Sequence, residues 1–594
     1  MRRVLIAFSQ IFKDRKEMGA FIFFAVLISL LLYMLPVLAY RRQSYTKISD
    51  ATLSAVGAPP ATFQSASVAY SIQLALLGPF FIWGAIGDTF AASLNTFFFM
   101  LGLLAYLLLW RPLRNFLLER VANDSSITPH SLIARQFDDS DAVRITATCI
   151  TLVALLGIFA AEMMGIVAVI KPLLPGSVNA TLTVLICMFV ITVIYTVIAG
   201  NDGAMASGRL QLQVIYISLS LFVVLIAVPN YHRILNQVVA SHWILGVVIT
   251  VLLICQTISF VNSRASKIES TVAKRWYVIF DRFVRIFSIL VMLASLAGVI
   301  FLCFQNSSFS YNGPTTFFDW FRNKSVSTLG LVSLAILPLC FQVADIANWQ
   351  KLAAVVKDTQ HDERQIRRAL AGYAFEAPTA CFLLLVIGSC VAVSGNTDLK
   401  FETFSEFISS LSKSNELSYQ YALAALMVAI FAIALSTMDS VLSAAICAFL
   451  YDINERKKSQ KPSNQDSAGK RIEKGIKFSI YFFLAGLILI NVAAPYIAFA
   501  TEEFVQYLLA FYGAQLSFVP LVIGALLYPT RKLPAWVGLG SLFLGAFLGI
   551  AFVCYGIATK QDDWSWAGVP ASLASSSLFY LVSILVLRKS NNNQ

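Results

Sequence analysis

The sequence predicts an all-α polytopic membrane protein with about fifteen transmembrane helices. Three observations carry that expectation. The 594 residues are 58% hydrophobic and only 13% charged, and the mean hydropathy is +0.74, a balance foreign to soluble chains. Apolar segments long enough to cross a bilayer recur from end to end, with no soluble domain between them. The basic residues gather in alternate connecting loops.

A window of about 20 residues places spans near 19–40, 67–88, 91–110, 142–171, 178–199, 206–228, 242–262, 283–304, 326–349, 370–394, 419–451, 476–500, 505–528, 534–557 and 570–587. Arg111, Arg114, Arg120, Arg135 and Arg144 lie on one side of this arrangement. Arg264, Lys267, Lys274 and Arg275 share that side, as do the basic clusters at 351–368 and 456–471. The intervening loops are poor in Lys and Arg, so the positive-inside rule puts the N-terminus outside and the C-terminus in the cytoplasm. Arg2, Arg3, Lys13, Arg15 and Lys16 cut against that assignment, while Arg41, Arg42 and Lys47 support it. The stretch RVLIAFSQIF also suits a short interfacial helix. The first apolar segment is too long for a cleavable signal peptide.

Composition excludes several classes. The +12 charge resides in loops whose basicity topology already explains, so nucleic-acid binding is not expected. The nine cysteines are scattered singly in or beside apolar segments and read as reduced packing residues. The four histidines fall in loops or at helix ends and provide no ligand set for haem or copper. No nucleophile, base and orienting group recur at a recognisable spacing, so no enzyme and no cofactor are expected.

Polar residues interrupt the spans in four places. In 67–88, Gly78-Pro79 is either a packing kink or an unwound segment that exposes backbone carbonyls. In 326–349, Gln342, Asp345, Asn348 and Trp349 break the apolar run; either Asp345 is an intramembrane carboxylate or the span ends earlier and Asp345 sits at the interface. Glu162 lies mid-span in 142–171, as a functional carboxylate or as a protonated group bonded to a neighbouring helix. The fourth is FAIALSTMDSVLSAAICAFLYDI, residues 431–453. At ~100° per residue, Ser436, Asp439, Ser440 and Ser443 share one helix face there, with Thr437 at its margin.

ALSTMDSVLSAAICAFLYDI resembles the signature helix of the solute:sodium symporter family. TPHSLIARQF is similar to that family's cytoplasmic segment before its fourth span, YTVIAGNDGAMASGRLQLQ to its tyrosine-threonine-glycine loop, and DIANWQKLAA to its glutamine-arginine segment. Together these cover most of residues 41–528. The resemblance implies a leucine-transporter-type fold of two five-helix inverted repeats, each opening on an interrupted helix. On this sequence the repeats fall at 67–228 and 326–528. Residues 1–66 form an N-terminal tail, first helix and loop, 229–325 an inserted two-helix segment, and 529–594 the C-terminal helices and tail.

In that family sodium is held by backbone carbonyls and two hydroxyls. The matching positions here are the hydroxyls of Ser436 and Thr437 and the carbonyls of Leu74, Leu77 and Ile433, with Asp439 and Ser440 behind them. Gln73, Gln342, Asp345 and Glu162 are the residues expected at the solute. Asp345 stands where the family commonly has an amide, which favours a small polar solute bearing an amine, guanidinium or hydroxyls. Gly208 in SGRLQ departs from the family's threonine-aspartate pair and removes the acid.

The expected activity is sodium-coupled import of a small polar organic solute by alternating access. Alternatives are a proton-coupled symporter, or a solute sensor acting through a protein partner at the inserted helices. Expected partners are the solute, Na+ as coupling ion and membrane lipid, and the expected location is a cell membrane, with a bacterial inner membrane suggested by the short loops and tails.

Overall fold

A computed structural model of the chain describes residues 128–173, 178–194, 328–347, 417–454, 466–493, 502–530 and 532–592, together with isolated positions including Gly102, Gln211 and Trp349. All the described elements are helical. They are α1 (Pro129–Gln136), α2 (Asp141–Leu173), α3 (Val178–Val193), α4 (Thr328–Ala344) and α5 (Leu417–Cys447), which runs on as a π-helical segment (Ala448–Asn454). Then come α6 (Asp466–Ala493), α7 (Glu502–Gln515), a 3-10 turn (Leu516–Phe518), α8 (Val519–Leu527), α9 (Ala535–Thr559) and α10 (Asp562–Asn592).

Among the described residues six helices are long and apolar enough to cross a membrane: Asp141–Val167, Ser418–Leu450, Glu473–Val492, Tyr507–Leu527, Ala535–Thr559 and Asp563–Lys589. Thr181–Val193 and Leu329–Phe341 are shorter apolar helices. The expected spans at 19–40, 67–88, 242–262, 283–304 and 370–394 lie outside the described residues, as do nearly all of 91–110 and most of 206–228.

Three boundaries differ from the sequence expectation. The helix expected at 476–500 starts at Asp466, because hydropathy marks only the membrane-embedded part, whereas Lys470, Arg471 and Lys474 occupy leading turns that remain helical. The helix expected at 570–587 begins at Asp562 and contains Pro570. The run expected as one helix at 505–528 is divided by the 3-10 turn. Pro520 has no N–H to offer Leu516, and the tighter turn compensates through a bond from Val519 N–H to the Leu516 carbonyl.

The helix α5 is buried along nearly its whole length and packs on α2, which also meets α1, α6, α7 and α9. Aromatic pairs close the contacts of α6 with α2, α3 and the π-helical segment: Phe159 against Phe482, Phe189 against Phe483, and Phe449 against Phe478. The outward faces of α6, α9 and α10 are apolar. Tyr481 (71% exposed), Ile488, Phe543, Leu578 and Leu585 have the character of a lipid-facing belt.

Among the described elements the C-terminal helices α9 and α10 form the most extensive pair, along a seam of small residues. A Cβ added at Gly545 would lie 2.7 Å from Ser517 Cβ and 2.8 Å from Ser576 Cβ, and one at Gly568 would lie 2.7 Å from the Gly549 carbonyl oxygen. Such close backbone approach is the usual basis of helix association in lipid. Lys560, at φ 54°, turns the chain between the two helices. From α10 the Trp566 carbonyl accepts a 2.6 Å bond from Ser333 of α4.

Candidate functional site

The fifth helix delivers Ser436, Thr437 and Asp439 to the protein interior, each 2% exposed. Ser440 is half-buried and its hydroxyl donates to Asp439 Oδ1 at 3.2 Å. Thr437 Oγ1 lies 3.2 Å from the Ile433 carbonyl, the ordinary back-bond of a membrane threonine but near the long limit for an O–H donor. The carboxyl of Glu162 on α2 lies within interaction reach of the same side chain. The structure thus joins two residues that the sequence analysis had assigned separately, one to the ion and one to the solute.

At Asp345 the α-helix stops. Its backbone N–H still bonds to the Phe341 carbonyl at 2.9 Å, while its Oδ1 accepts from Ala347 N–H at 3.2 Å, capping the short helical turn that follows. The residue is 2% exposed, so it is enclosed by protein and not at a surface. Trp349 reaches back over the break, its indole N–H donating to the Val343 carbonyl at 2.9 Å. Pro338, about two turns before the break, leaves the Leu334 carbonyl without its helical donor. Gly102 packs there so closely that a Cβ would sit 2.2 Å from the Ala335 carbonyl oxygen.

Tyr512 of α7 completes the cluster. Its ring stands edge-on to Phe341, with centroids 4.8 Å apart, and its hydroxyl is within electrostatic reach of both Glu162 and Asp345. Four elements therefore converge on one polar centre: α2 through Glu162, the end of α4 through Asp345, α5 through Thr437, and α7 through Tyr512. Glu162 is half-buried. One turn beyond Tyr512, Gln515 is fully buried with neither amide atom hydrogen-bonded. Gln211 is in the same condition. An orphaned buried amide costs about 1–3 kcal/mol, a cost that a polar ligand can remove.

Of the other expected site residues, Gln342 lies in the last turn of α4. Gln73, Leu74 and Leu77 lie outside the described residues, as does Gly78-Pro79. Among the described residues no group of three or more His, Cys, Asp or Glu side chains has the arrangement of a metal centre.

A second polar cluster lies at the far end of α5. Thr128 caps α1 in a reciprocal capping box with Ser131. Its hydroxyl also donates to Asp452 Oδ1 at 2.8 Å. Asp452 Oδ2 is 2.7 Å from His130 Nδ1, and His130 Nε2 is 2.8 Å from Thr151 Oγ1 on α2. His130 and Asp452 are 1% and 3% exposed. Sequence reasoning placed His130 in a loop or at a helix end and gave it no role. Its signal was present nonetheless, since His130 stands in TPHSL and Asp452 in the terminal Asp-Ile, two segments already singled out. Tyr512 and Gln515 had no comparable signal, because single polar or aromatic residues within an apolar span resemble ordinary packing.

With this geometry the chain resembles solved transporters. A Na+-coupled sialic acid symporter, captured substrate-bound in an outward-open state with a novel Na+ site, shares the fold. The TM-score is 0.55, the match covers 95% of this chain and 97% of that chain, and the sequence identity is 14%. No protein-family model matches the chain, and no curated protein matches it in sequence. The likeness is one of fold: an all-helical, multi-pass membrane protein built like a sodium symporter.

Proposed function

We propose that the chain is a sodium-coupled secondary active symporter of the solute:sodium symporter type, importing a small polar organic solute by alternating access. The observation that carries this reading is the grouping of Glu162 with Thr437, and of Tyr512 with Glu162 and Asp345, inside a symporter fold. Buried carboxylates on a membrane protein's interior face are costly unless they serve a ligand or a pathway. Ser436 and Thr437, with the Ile433 carbonyl, offer hard oxygen donors suited to a small alkali cation. Leu74 and Leu77 would supply further carbonyls from the first interrupted helix.

The solute binds beside this ion site. Asp345 and Glu162 favour a positively charged or hydroxyl-rich group, and Tyr512 and Gln515 offer hydrogen bonds to a neutral or anionic part of the same molecule. A cationic or zwitterionic solute satisfies both halves. Rocking of one helix bundle against the other then releases solute and ion on the opposite side. Coupling requires only that each ligand tighten binding of the other, by about 1–3 kcal/mol. Loop charge orients the N-terminus outside and the C-terminus in the cytoplasm of a cell membrane.

Thermal stability of the purified protein in sodium, against choline at equal ionic strength, tests the ion site. A rise in Tm specific to sodium, absent from the Ser436→Ala/Thr437→Ala variant, is expected. A well-folded wild type with no sodium response overturns the reading. Two interior carboxylates, Glu162 and Asp345, make proton symport the second reading. Solute uptake driven by a pH gradient without sodium would establish it.

A further inference from the structure

We infer that the short helix α1 is a clamp. It fastens the end of α5 and the flank of α2 on one side to the α8–α9 loop and α10 on the other, so that these parts move as one body. The inference rests on the alternating-access reading above and on no particular coupling ion.

Eight residues make a helix too short to persist by itself, so α1 is ordered by what holds it. It is held at both ends. At the first, the Thr128 hydroxyl accepts from Ser131 N–H at 3.0 Å and donates to Asp452 Oδ1 at 2.8 Å. His130 continues the chain from Asp452 Oδ2 to Thr151 of α2, at 2.7 and 2.8 Å. Its ring also stands edge-on to Phe518 of the 3-10 turn, with centroids 5.9 Å apart.

At the other end, the carbonyls that a helix's last turn leaves without partners are taken by the α8–α9 loop. Leu533 N–H donates to the Gln136 carbonyl at 2.9 Å, and Lys532 Nζ to the Arg135 carbonyl at 2.6 Å. Gln136 Nε2 donates to Tyr580 Oη of α10 at 2.6 Å. The Phe137 ring lies so close to α9 that a Cβ added at Gly538 would meet it at 2.9 Å.

Without α1 these parts have little hold on one another. Among the described elements α5 has no extensive packing against α9 or α10, whereas α1 packs on both α2 and α8. Both carboxylate oxygens of Asp452 and both ring nitrogens of His130 are engaged, and both side chains are buried. Parting α1 from α5 would strand several polar groups in the interior at once, a cost unsuited to a contact broken in every cycle. Loop charge puts Arg135 and the basic segment 456–471 on the same, cytoplasmic side, and the Thr128–Asp452 bond joins the two neighbouring chain segments there. Opening of the site on that side therefore takes place between other elements.

Amide hydrogen exchange of the purified full-length protein provides the test, read by mass spectrometry over 128–137, 448–454 and 532–537 in sodium and in choline at equal ionic strength. Each segment is expected to exchange at the same rate in both salts, within about twofold. Asp452→Ala is expected to raise exchange about tenfold in 128–137 and also in 532–537, because releasing one end of α1 frees the other. Among the described residues Asp452 makes no hydrogen bond to 532–537, so a merely local cap would leave that segment unchanged. Tyr580→Phe, which removes the acceptor of Gln136, is expected to raise exchange in 128–137 and 448–454 about threefold. An Asp452→Ala effect that stops at 128–137, or exchange of α1 that differs between sodium and choline by more than about twofold, overturns the inference. Where Asp452→Ala does not fold, Asp452→Asn is read by the same criterion. A wild type whose exchange responds to sodium nowhere removes the sodium reading, and the two variants then decide the clamp alone.

Discussion

Two regions of the molecule put hydroxyls inside the membrane, and they use them differently. In the α9–α10 seam, Ser541 Oγ donates to the Ser576 carbonyl at 2.8 Å, Ser576 Oγ to the Ser517 carbonyl at 2.7 Å, and Ser517 Oγ to the Ala514 carbonyl at 2.7 Å. Each proton ends on a backbone oxygen, glycines bring the helices into contact around them, and only Ser572 in this group has a hydroxyl without a partner. In the α2–α5 centre, Thr437 donates to its own helix at a long 3.2 Å and has the Glu162 carboxyl of another helix within reach, and Glu162 in turn shares its surroundings with Tyr512. A serine or threonine in a membrane helix is thus uninformative until its partners are known. Backbone partners describe packing, and a carboxylate within reach leaves room for a further role.

The largest stability effect is expected where α5 ends. Asp452→Ala strips the acceptor from Thr128 and His130 together, and should cost about 3 kcal/mol. Asp452→Asn, keeping one oxygen, should cost about 1 kcal/mol. Denaturation in detergent reads both, and equal losses would show that the hydrogen bonds contribute nothing. Next comes the proposed ion site. Ser436→Ala/Thr437→Ala should lose about 2.7 kcal/mol of sodium-dependent stabilisation at a hundredfold excess over Kd, with little change in choline. A loss of the same size in choline would return these hydroxyls to the packing class.

In the seam, Gly545→Val forces a side chain into Ser517 and Ser576 and should cost about 1–3 kcal/mol while leaving the half-saturating sodium concentration unchanged. A change in sodium affinity would erase the distinction between the two regions. Smallest of all, Ser541→Ala should cost about 0.6 kcal/mol, the usual worth of an interhelical hydrogen bond in lipid. A loss several times larger would show that the seam depends on its hydroxyls more than on its close backbone approach.

Much of this was legible along the chain. The helix α5 and its polar face follow from a 100° advance applied to Ser436, Asp439 and Ser440, and the break at Asp345 from polar residues interrupting an apolar run. Other features were not legible, for definite reasons. His130 and Asp452 are 322 positions apart, and periodicity carries no information about such a pair. Asp452 also sits in a π-helical stretch, whose wider turn changes which way a side chain points relative to the α-helix before it. The leading turns of α6 are charged and so invisible to hydropathy, although they continue the helix.

By itself the sequence determined the solvent in which this chain folds, the helices that solvent demands, and the polar residues too costly to be there without purpose. Those properties are local, since burying apolar surface and satisfying backbone hydrogen bonds in lipid depend on each segment's own composition. Only the tertiary structure decided that Glu162 comes within reach of Thr437, that Tyr512 stands near both carboxylates, and that the start of α1 is tied to the end of α5. Those are pairings between distant segments, fixed by how bulky and small side chains allow whole helices to approach one another.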